Sequence, residues 1–319
     1  MENIILISVI IPSYNRADTV GETIESIVAQ EGVGTEFDLE IVIGDDCSTD
    51  NAREVLEQYR QKYPDLIRLF LREQNVGLGA NWAMCVKDCR GKYVCNCDND
   101  DYWHNPQKLH LQMEYMESHP ECNVLLTNHR THNRSTGEIL EKTAIIEGPS
   151  QQDALYGLGD LDICNATIMY RAEYLKEHVD LDEYIRRRFF LQDWNTWVIL
   201  AATTHFDILP ISTATFGVET ISITRPKTYD QLRRRLDKDA DCARYLGELF
   251  PQYAFNEEDW RRYVNETLLS LAYLRNDYAK AHEIVSNEGV ENSRKAKMAK
   301  YRITFMLYRI MRELRNKLR

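Results

Sequence analysis

The sequence lacks several signatures that would assign it quickly. Its 319 residues include eight cysteines but no CxxC pair, eight histidines but no HExxH, and no Gly-x-Gly-x-x-Gly or Walker loop. Zinc ribbons, zincins, a nicotinamide fingerprint and a P-loop are therefore not supported. Ser13 has no Gly-x-Ser-x-Gly context, so a hydrolase triad is not supported either. No uncharged stretch reaches the roughly 18 residues that a spanning helix needs. Met1-Glu2-Asn3 offers no basic signal-peptide n-region. With no disulfide pattern, the expectation is a cytosolic chain with reduced thiols. There is no internal repeat and no low-complexity tract. Positive charge is in deficit: 39 Lys and Arg stand against 50 Asp and Glu, a net charge of -11. A uniformly acidic surface repels polyanions, so nucleic acid is not an expected partner.

What is present is ordinary globular material, 44% hydrophobic and 28% charged. Strand and helix patterns alternate over the first 130 residues. Apolar runs at Ile7–Ile11, Leu39–Ile43, Ile67–Leu71, Tyr93–Cys97 and Asn123–Thr127 predict five strands. Between them, Val20/Ile24/Ile27/Val28, Val55/Leu56/Tyr59, Leu78/Trp82/Cys85/Val86 and Leu109/Met113/Met116 fall at helical spacing. Thr19 with Glu22 has the form of a capping box. Asn105-Pro106 has the form of an N-cap followed by a first-turn proline. Such alternation predicts an α/β doubly wound, mostly parallel sheet, with ligands bound beyond the strand carboxyl ends. Residues 128–160 read as a polar excursion, in which His129 and His132 are expected to be solvated loop residues. Ile163–Tyr170 and Phe206–Ile211 read as strands, Phe190–Ala202 as a helix, and the chain from about Lys227 as helical.

The segments after the strands carry the chemistry. Cys97-Asp98-Asn99-Asp100-Asp101 places three carboxylates within four residues, which repel one another unless a cation or donors offset them. Hard oxygen ligands of this kind suit Mg²⁺ or Mn²⁺ completed by substrate phosphates. Gly44-Asp45-Asp46-Cys47-Ser48-Thr49-Asp50 follows the second strand, where a carboxylate can accept from a base or ribose edge and Ser48 or Thr49 can cap a helix. Pro12-Ser13-Tyr14-Asn15-Arg16 ends the first strand, and Tyr14 can lie against a flat base. Asn75-Val76-Gly77-Leu78-Gly79-Ala80-Asn81 follows the third, its glycines permitting close backbone approach.

In order and spacing these four segments resemble the family 2 glycosyltransferases of the GT-A fold, over about Ile7 to Leu109. Cys47 stands where that family usually has Gly. The resemblance implies an inverting, metal-dependent transfer of a sugar from a nucleotide-diphosphate donor, with a UDP-sugar as the default. It implies nucleotide-sugar contacts from Pro12, Tyr14, Asn15, Asp46, Asn75, Asp98 and Asn99. It further implies that Asp100 ligates Mg²⁺ or Mn²⁺, and that a later helix-start Asp serves as catalytic base, matched here by Asp193 in Leu191-Gln192-Asp193-Trp194. Gln192 replaces the usual Glu. A later aromatic-Arg segment is only partly matched at Thr215–Ser222; its basic residue is missing unless Arg225 or Lys227 substitutes. The implied acceptor is a glycan or a lipid-linked intermediate of cell-surface polysaccharide synthesis. Two other readings stand beside this one. A nucleotidyltransferase would need a basic, glycine-rich loop after the first strand, where only Arg16 occurs. A catalytically silent scaffold with the same core would release no nucleotide diphosphate.

The charge is unevenly distributed. Residues 294–319 hold ten Lys or Arg and one Glu, a local +9, so the remaining 293 residues carry -20. Ile303, Met306, Leu307, Ile310, Met311 and Leu314 share one helical face of this tail, which fits an anionic membrane surface or packing on protein, including a second copy of the chain. The expected organisation is a catalytic domain at 1–225 and a helical region with a basic tail at 226–319. The expected location is the cytoplasm, peripheral to the inner membrane face if the tail binds lipid.

Overall fold

The computed structural model describes residues 4–190, 192–218, 228–287 and 294–299. The chain divides into two compact units, Met1–Thr220 and Ile221–Arg319. The first unit begins with the predicted alternation: β1 (Ile5–Ser13), α1 (Val20–Val28), β2 (Phe37–Asp45), α2 (Ala52–Lys62), β3 (Ile67–Leu71), α3 (Leu78–Asp88), β4 (Tyr93–Asn96), β5 (Tyr102–Trp103) and α4 (Lys108–Ser118). It continues with β6 (Val124–Asn133), β7 (Glu138–Lys142), β8 (Ile145–Glu147), α5 (Gln151–Asp153), a π-helical turn (Ala154–Leu158), β9 (Asp160–Asp162), a 3-10 turn (Asn165–Thr167) and β10 (Met169–Arg171). The last elements of the unit are α6 (Ala172–His178), α7 (Leu181–Arg187), α8 (Gln192–Leu200) and β11 (Phe206–Val218).

The main sheet runs β3-β2-β1-β4-β10-β6-β11-β5, with β7 also on β6. The four strands from β3 to β4 are parallel, so their carboxyl ends meet at one edge of the sheet. The run Ile7–Ile11 is buried on both faces, as the near-continuous apolar strand requires. Helix α1 turns Val20, Ile24 and Ile27 onto that sheet. β10, β7 and β5 are antiparallel to their neighbours, so the sheet is mixed on its second side.

Several sequence expectations are corrected by tertiary pairing. The excursion at 128–160 is not a loop: β6 continues to Asn133 and folds back as β7, and β8 pairs β9 in a small second sheet. β11 does not stop at Ile211. It runs on to Val218 through register shifts between Leu209 and Ala214, a bulge of the kind that accommodates proline in a strand. The capping box is absent, since Thr19 makes no side-chain cap bond. α4 starts two residues beyond the expected first-turn proline, after Asn105 closes a preceding turn by accepting from the Gln107 N–H at 2.9 Å.

The second unit comprises α9 (Tyr229–Leu249), a 3-10 turn (Pro251–Tyr253), α10 (Glu257–Arg275), α11 (Tyr278–Asn287) and α12 (Arg294–Ala299). Leu232, Leu236, Leu268, Leu269 and Tyr273 form its core. Here a capping box does form, between Thr228 and Gln231. No described helix is long and apolar enough to cross a membrane. Arg225, Lys227 and the tail beyond Ala299 lie outside the described residues.

One glycine fixes how α3 enters this scaffold. The Gly79 N–H donates to the Phe189 carbonyl at 3.0 Å, and a Cβ at Gly79 would lie 2.3 Å from that oxygen. Gly→Ala in a helix ordinarily stabilises by up to about 1 kcal/mol. Here Gly79→Ala is expected to destabilise by about 1–3 kcal/mol through forced overpacking, read as a lower urea midpoint at unchanged slope.

Candidate active site

The ends of β1, β2 and β3 build one side of the site. Pro12 is buried and in register with Gly44, and Tyr14 projects beyond the strand, 39% exposed. Asn15 adopts a left-handed φ of 51°. Its N–H donates to Ser48 Oγ at 2.9 Å, and its Oδ1 accepts from the Thr49 N–H at 2.8 Å, tying the first loop to the second. Cys47 also sits at a left-handed φ, 61°, the conformation in which glycine is favoured. Asp45 and Asp46 divide the work of their pair. Asp45 is fully buried, accepting from the Ser48 N–H at 3.1 Å and from Arg53 Nε at 2.7 Å, so it is structural. Asp46 accepts the N–H of Val76 at 2.6 Å and of Gly77 at 2.9 Å, one on each carboxylate oxygen. Asn75 Nδ2 donates to the Asp46 carbonyl at 3.1 Å. Asp46 and Asn75 thus first shape the loop after β3; each Asp46 oxygen keeps one further lone pair directed elsewhere.

The acidic segment after β4 is a tight turn, with the Asp101 N–H donating to the Asp98 carbonyl at 3.0 Å. Its backbone is clamped from outside. Thr19 Oγ1 donates to the Asn99 carbonyl at 2.7 Å, and Thr23 Oγ1 to the Asp101 carbonyl at 2.6 Å. Arg134 Nη2 donates to the Asp100 carbonyl at 3.0 Å and pairs with Glu22 at 2.7 Å. The two residues read as a capping box therefore brace this turn instead. Asn99 Nδ2 donates to Ser13 Oγ at 3.1 Å, so Asn99 joins the turn to the end of β1. Asp101 is buried and accepts from the Gly217 N–H at 2.9 Å; burial, then Asp100 and Asp98, push its carboxyl well above the usual range.

Asp98 and Asp100 face the site, both partly buried. Arg16 Nε reaches Asp100 Oδ2 at 3.3 Å. Asp98 accepts from Asn165 Nδ2 at 3.3 Å, and Asn165 is held in turn by Asn96 Nδ2 at 2.9 Å. Burial, then Asp100, then Asp193 raise the Asp98 carboxyl to about 7, only partly opposed by the Asn165 amide. Asp193 occupies the first turn of α8 and accepts from the Trp194 N–H at 2.8 Å. Burial raises its carboxyl as well, opposed by backbone N–H groups. The charge of Asp193 is thus felt at Asp98, although nearly a hundred residues separate the two. Among the described residues no three His, Cys, Asp or Glu side chains form a complete metal cage. The donor set nevertheless fits Mg²⁺ or Mn²⁺: hard carboxylate oxygens whose mutual repulsion is incompletely offset, the arrangement completed in such sites by substrate oxygens.

Other expectations resolve differently. His129 is not in a solvated loop: it lies on β6, 3% exposed, with Nε2 3.5 Å from Asp162. Core packing is the expectation for both tryptophans of α8: Trp197 meets it, donating to the Tyr170 hydroxyl at 2.9 Å, whereas Trp194 is half-buried. Sequence reasoning missed Thr19, Thr23, Arg134, Asn165 and Gly217 as supports of the acidic turn. Their only local signals were helix-cap, turn and strand patterns, which carry no information about a partner 34 to 116 residues away.

A mixed sheet with an acidic turn beyond the ends of its parallel strands is the arrangement of the GT-A-type α/β class. The family model for glycosyl transferase family 2 matches residues 8–179, and the chain belongs to that family. An uncharacterised protein of Mycobacterium tuberculosis is 38% identical over 117 residues, 37% of this chain and 33% of that one. TuaG of Bacillus subtilis, named for teichuronic acid biosynthesis, is 37% identical over 111 residues, 35% of this chain and 42% of its own. The matched stretches thus span about a third to two fifths of these relatives. In structure, Staphylococcus aureus TarS superposes over 97% of this chain and 53% of its own, with TM-score 0.55 and 19% identity. A Pyrobaculum calidifontis mannosyltransferase solved with GDP-Man and Mn²⁺ covers 97% of this chain and 88% of its own, with TM-score 0.54 and 13% identity. At these identities the two structures establish a common fold.

The raised carboxyl of Asp98 has a direct consequence for stability. Its folded value lies above its unfolded one, so its contribution is present below about pH 4 and is lost as pH rises through about 7. In EDTA, the melting temperature of Asp98→Asn is expected to fall less between pH 5 and pH 8 than that of the wild type. Parallel pH profiles would contradict the assignment.

Proposed function

We propose that the chain transfers a glycosyl unit from a nucleotide-diphosphate sugar to an acceptor hydroxyl, inverting the anomeric configuration. The observation that carries this reading is the acidic turn after β4, which sets Asp98 and Asp100 beyond the carboxyl ends of parallel strands, with the charge of Asp193, at the start of α8, felt at Asp98. Tyr14, beside Pro12, gives the nucleoside base a flat partner. Asp46 and Asn75 hold the loop after β3 and offer their remaining lone pairs to the base. Asn15 fixes the first loop against the second, Asp98 accepts from the ribose side, and Asn99 keeps the acidic turn joined to β1. UDP-sugars are the preferred donors in this reading; TarS has been solved with UDP and with UDP-GlcNAc.

Asp100, with Asp98 beside it, would hold Mg²⁺ or Mn²⁺. The ion, when bound, supplies Lewis-acid stabilisation of charge on the leaving diphosphate. Asp193 accepts the proton of the attacking hydroxyl as the acceptor oxygen bonds to the anomeric carbon and the diphosphate departs from the opposite face. Its raised affinity for protons suits a base, because the proton taken up is held more firmly than by an ordinary carboxylate. The acceptor belongs to cell-surface polysaccharide or lipid-linked glycan synthesis, carried out in the cytoplasm. The basic tail at 294–319 either meets an anionic membrane surface or packs on protein.

Two substitutions test the roles. Asp193→Asn is expected to lower transfer by about 10²–10⁴-fold while leaving nucleotide affinity within about twofold. Transfer at the wild-type rate would remove Asp193 from the role of base. Asp100→Ala is expected to abolish the Mn²⁺ dependence of nucleoside-diphosphate binding, measured by calorimetric titration with and without Mn²⁺; an unchanged metal dependence would remove Asp100 as ligand. If no nucleotide sugar yields nucleotide diphosphate in the presence of Mn²⁺ and acceptor, the chain is instead a binding scaffold.

A further inference from the structure

Four tryptophans lie in the first unit, and three are explained by the core. Trp82, Trp103 and Trp197 are 1%, 4% and 7% exposed, and each indole N–H is satisfied inside the unit, by Asn96, the Ala166 carbonyl and the Tyr170 hydroxyl. Trp194 differs. It follows Asp193 directly in the first turn of α8 and is only half-buried. Its Nε1 donates to the Leu155 carbonyl at 2.9 Å, which fixes the orientation of the ring. Its neighbour is Tyr156, also half-buried, with ring centroids 5.8 Å apart and planes inclined by 34°.

The segment that brings Tyr156 there is built for the purpose of holding still. Gln151 exchanges two hydrogen bonds with Phe206, donating to its carbonyl at 3.0 Å and accepting from its N–H at 2.7 Å. Gln152 Nε2 donates to the Val198 carbonyl on α8 at 3.2 Å. The π-helical turn Ala154–Leu158 buries Ala154 and Leu155, while Gly157 at φ 108° turns the chain back toward β9. Asp162 then ties β9 to β6 and β7 through His129 and Lys142, each at 3.5 Å.

Resting on the glycosyl-transfer reading, we infer that Trp194 and Tyr156 form the acceptor subsite, a platform for the apolar face of a neutral pyranose whose hydroxyl reaches Asp193. A pyranose presents axial C–H groups that match the negative face of an aromatic ring, and a fixed indole loses little entropy on contact. Charge separates this occupant from a polyol phosphate. Residues 150–162 contain Asp153, Asp160 and Asp162 and no basic residue, and α8 contains Asp193 and no basic residue. An anionic acceptor would approach these carboxylates with no cation on either element to receive it.

Saturation-transfer NMR on the full chain tests this without any donor. The probes are methyl β-glucopyranoside, methyl β-galactopyranoside, methyl α-mannopyranoside and cellobiose, with ribitol 5-phosphate as the anionic polyol. At least one pyranoside is expected to receive saturation in the wild type, and its affinity to fall roughly fivefold in Trp194→Ala and in Tyr156→Ala, the middle of the range an aromatic contact supplies. Trp194→Phe is expected to retain part of the signal. Affinity for the nucleoside diphosphate that most raises the wild-type melting temperature is expected to stay within about twofold in both alanine variants. Tyr156→Ala, at a half-exposed position, keeps the test decisive if Trp194→Ala loosens α8. The inference is overturned if no pyranoside receives saturation, if the signal persists in both alanine variants, or if ribitol 5-phosphate alone is saturated. Failure of glycosyl transfer itself is read separately, as absent nucleotide-diphosphate release, and leaves the pyranoside titration unaffected.

Discussion

Repulsion among the carboxylates of the acidic turn is the constraint on which the rest of the catalytic unit depends. Asp98, Asp100 and Asp101 cannot share one short turn cheaply, and Asp193 adds a fourth negative group to the same space. The fold answers chiefly by holding the backbone, with Arg16 on Asp100 and the Asn165 amide on Asp98 as direct side-chain partners. Hydroxyls from α1, a guanidinium from the β6–β7 hairpin and the N–H of Gly217 on β11 converge on the turn. Gly217 has no alternative there, since a Cβ would lie 2.1 Å from the Asp100 carbonyl oxygen. Asp101 points inward onto the Gly217 N–H, which opposes but does not overcome the rise of its carboxyl, while Asp98 and Asp100 have Asn165 and Arg16 set against their repulsion. A cation placed between such carboxylates would relieve that repulsion, which is why the proposed reading puts the metal there.

The same division between support and display recurs along the strand ends. Of the two aspartates after β2, Asp45 is consumed by Arg53 and the Ser48 N–H, and Asp46 by the loop after β3. A pair that looks like two ligand contacts is thus one structural anchor and one loop organiser with spare acceptor capacity. Asn96, Asn165 and Trp82 form a comparable relay under Asp98: the indole donates to Asn96 at 3.1 Å, Asn96 to Asn165, and Asn165 to the carboxylate. Buried polar groups that are fully paired in this way hold one geometry, because any alternative leaves a donor or acceptor unsatisfied at about 1–3 kcal/mol.

The aromatic pair has a different character. Trp194 and Tyr156 are presented by α8 and by the excursion between β8 and β9, both lying outside the parallel half of the sheet. The strand ends and their tight turns are polar, whereas the Trp194–Tyr156 pair is aromatic and lies outside them. A connection of this kind can vary without disturbing the sheet.

The parallel half of the fold was legible in the sequence because each strand there is a short apolar run closed by a turn segment, a purely local pattern. β3 was read to the residue for that reason, and the four segments that follow the strands identified the family. Asp193 was found through resemblance, not through any property of its own stretch. Tertiary structure alone decided the rest. Thr19 and Glu22 have the spacing of a helix cap, yet they brace a turn 80 residues away, because a hydroxyl bonds whichever acceptor the fold brings closest. β6 extends through a polar stretch, since pairing with β7 and β11 satisfies its backbone whatever its side chains are. Whether a tryptophan is core or surface depends on what packs over it, so Trp194 and Trp197, three residues apart on one helix, were separated only by the folded chain.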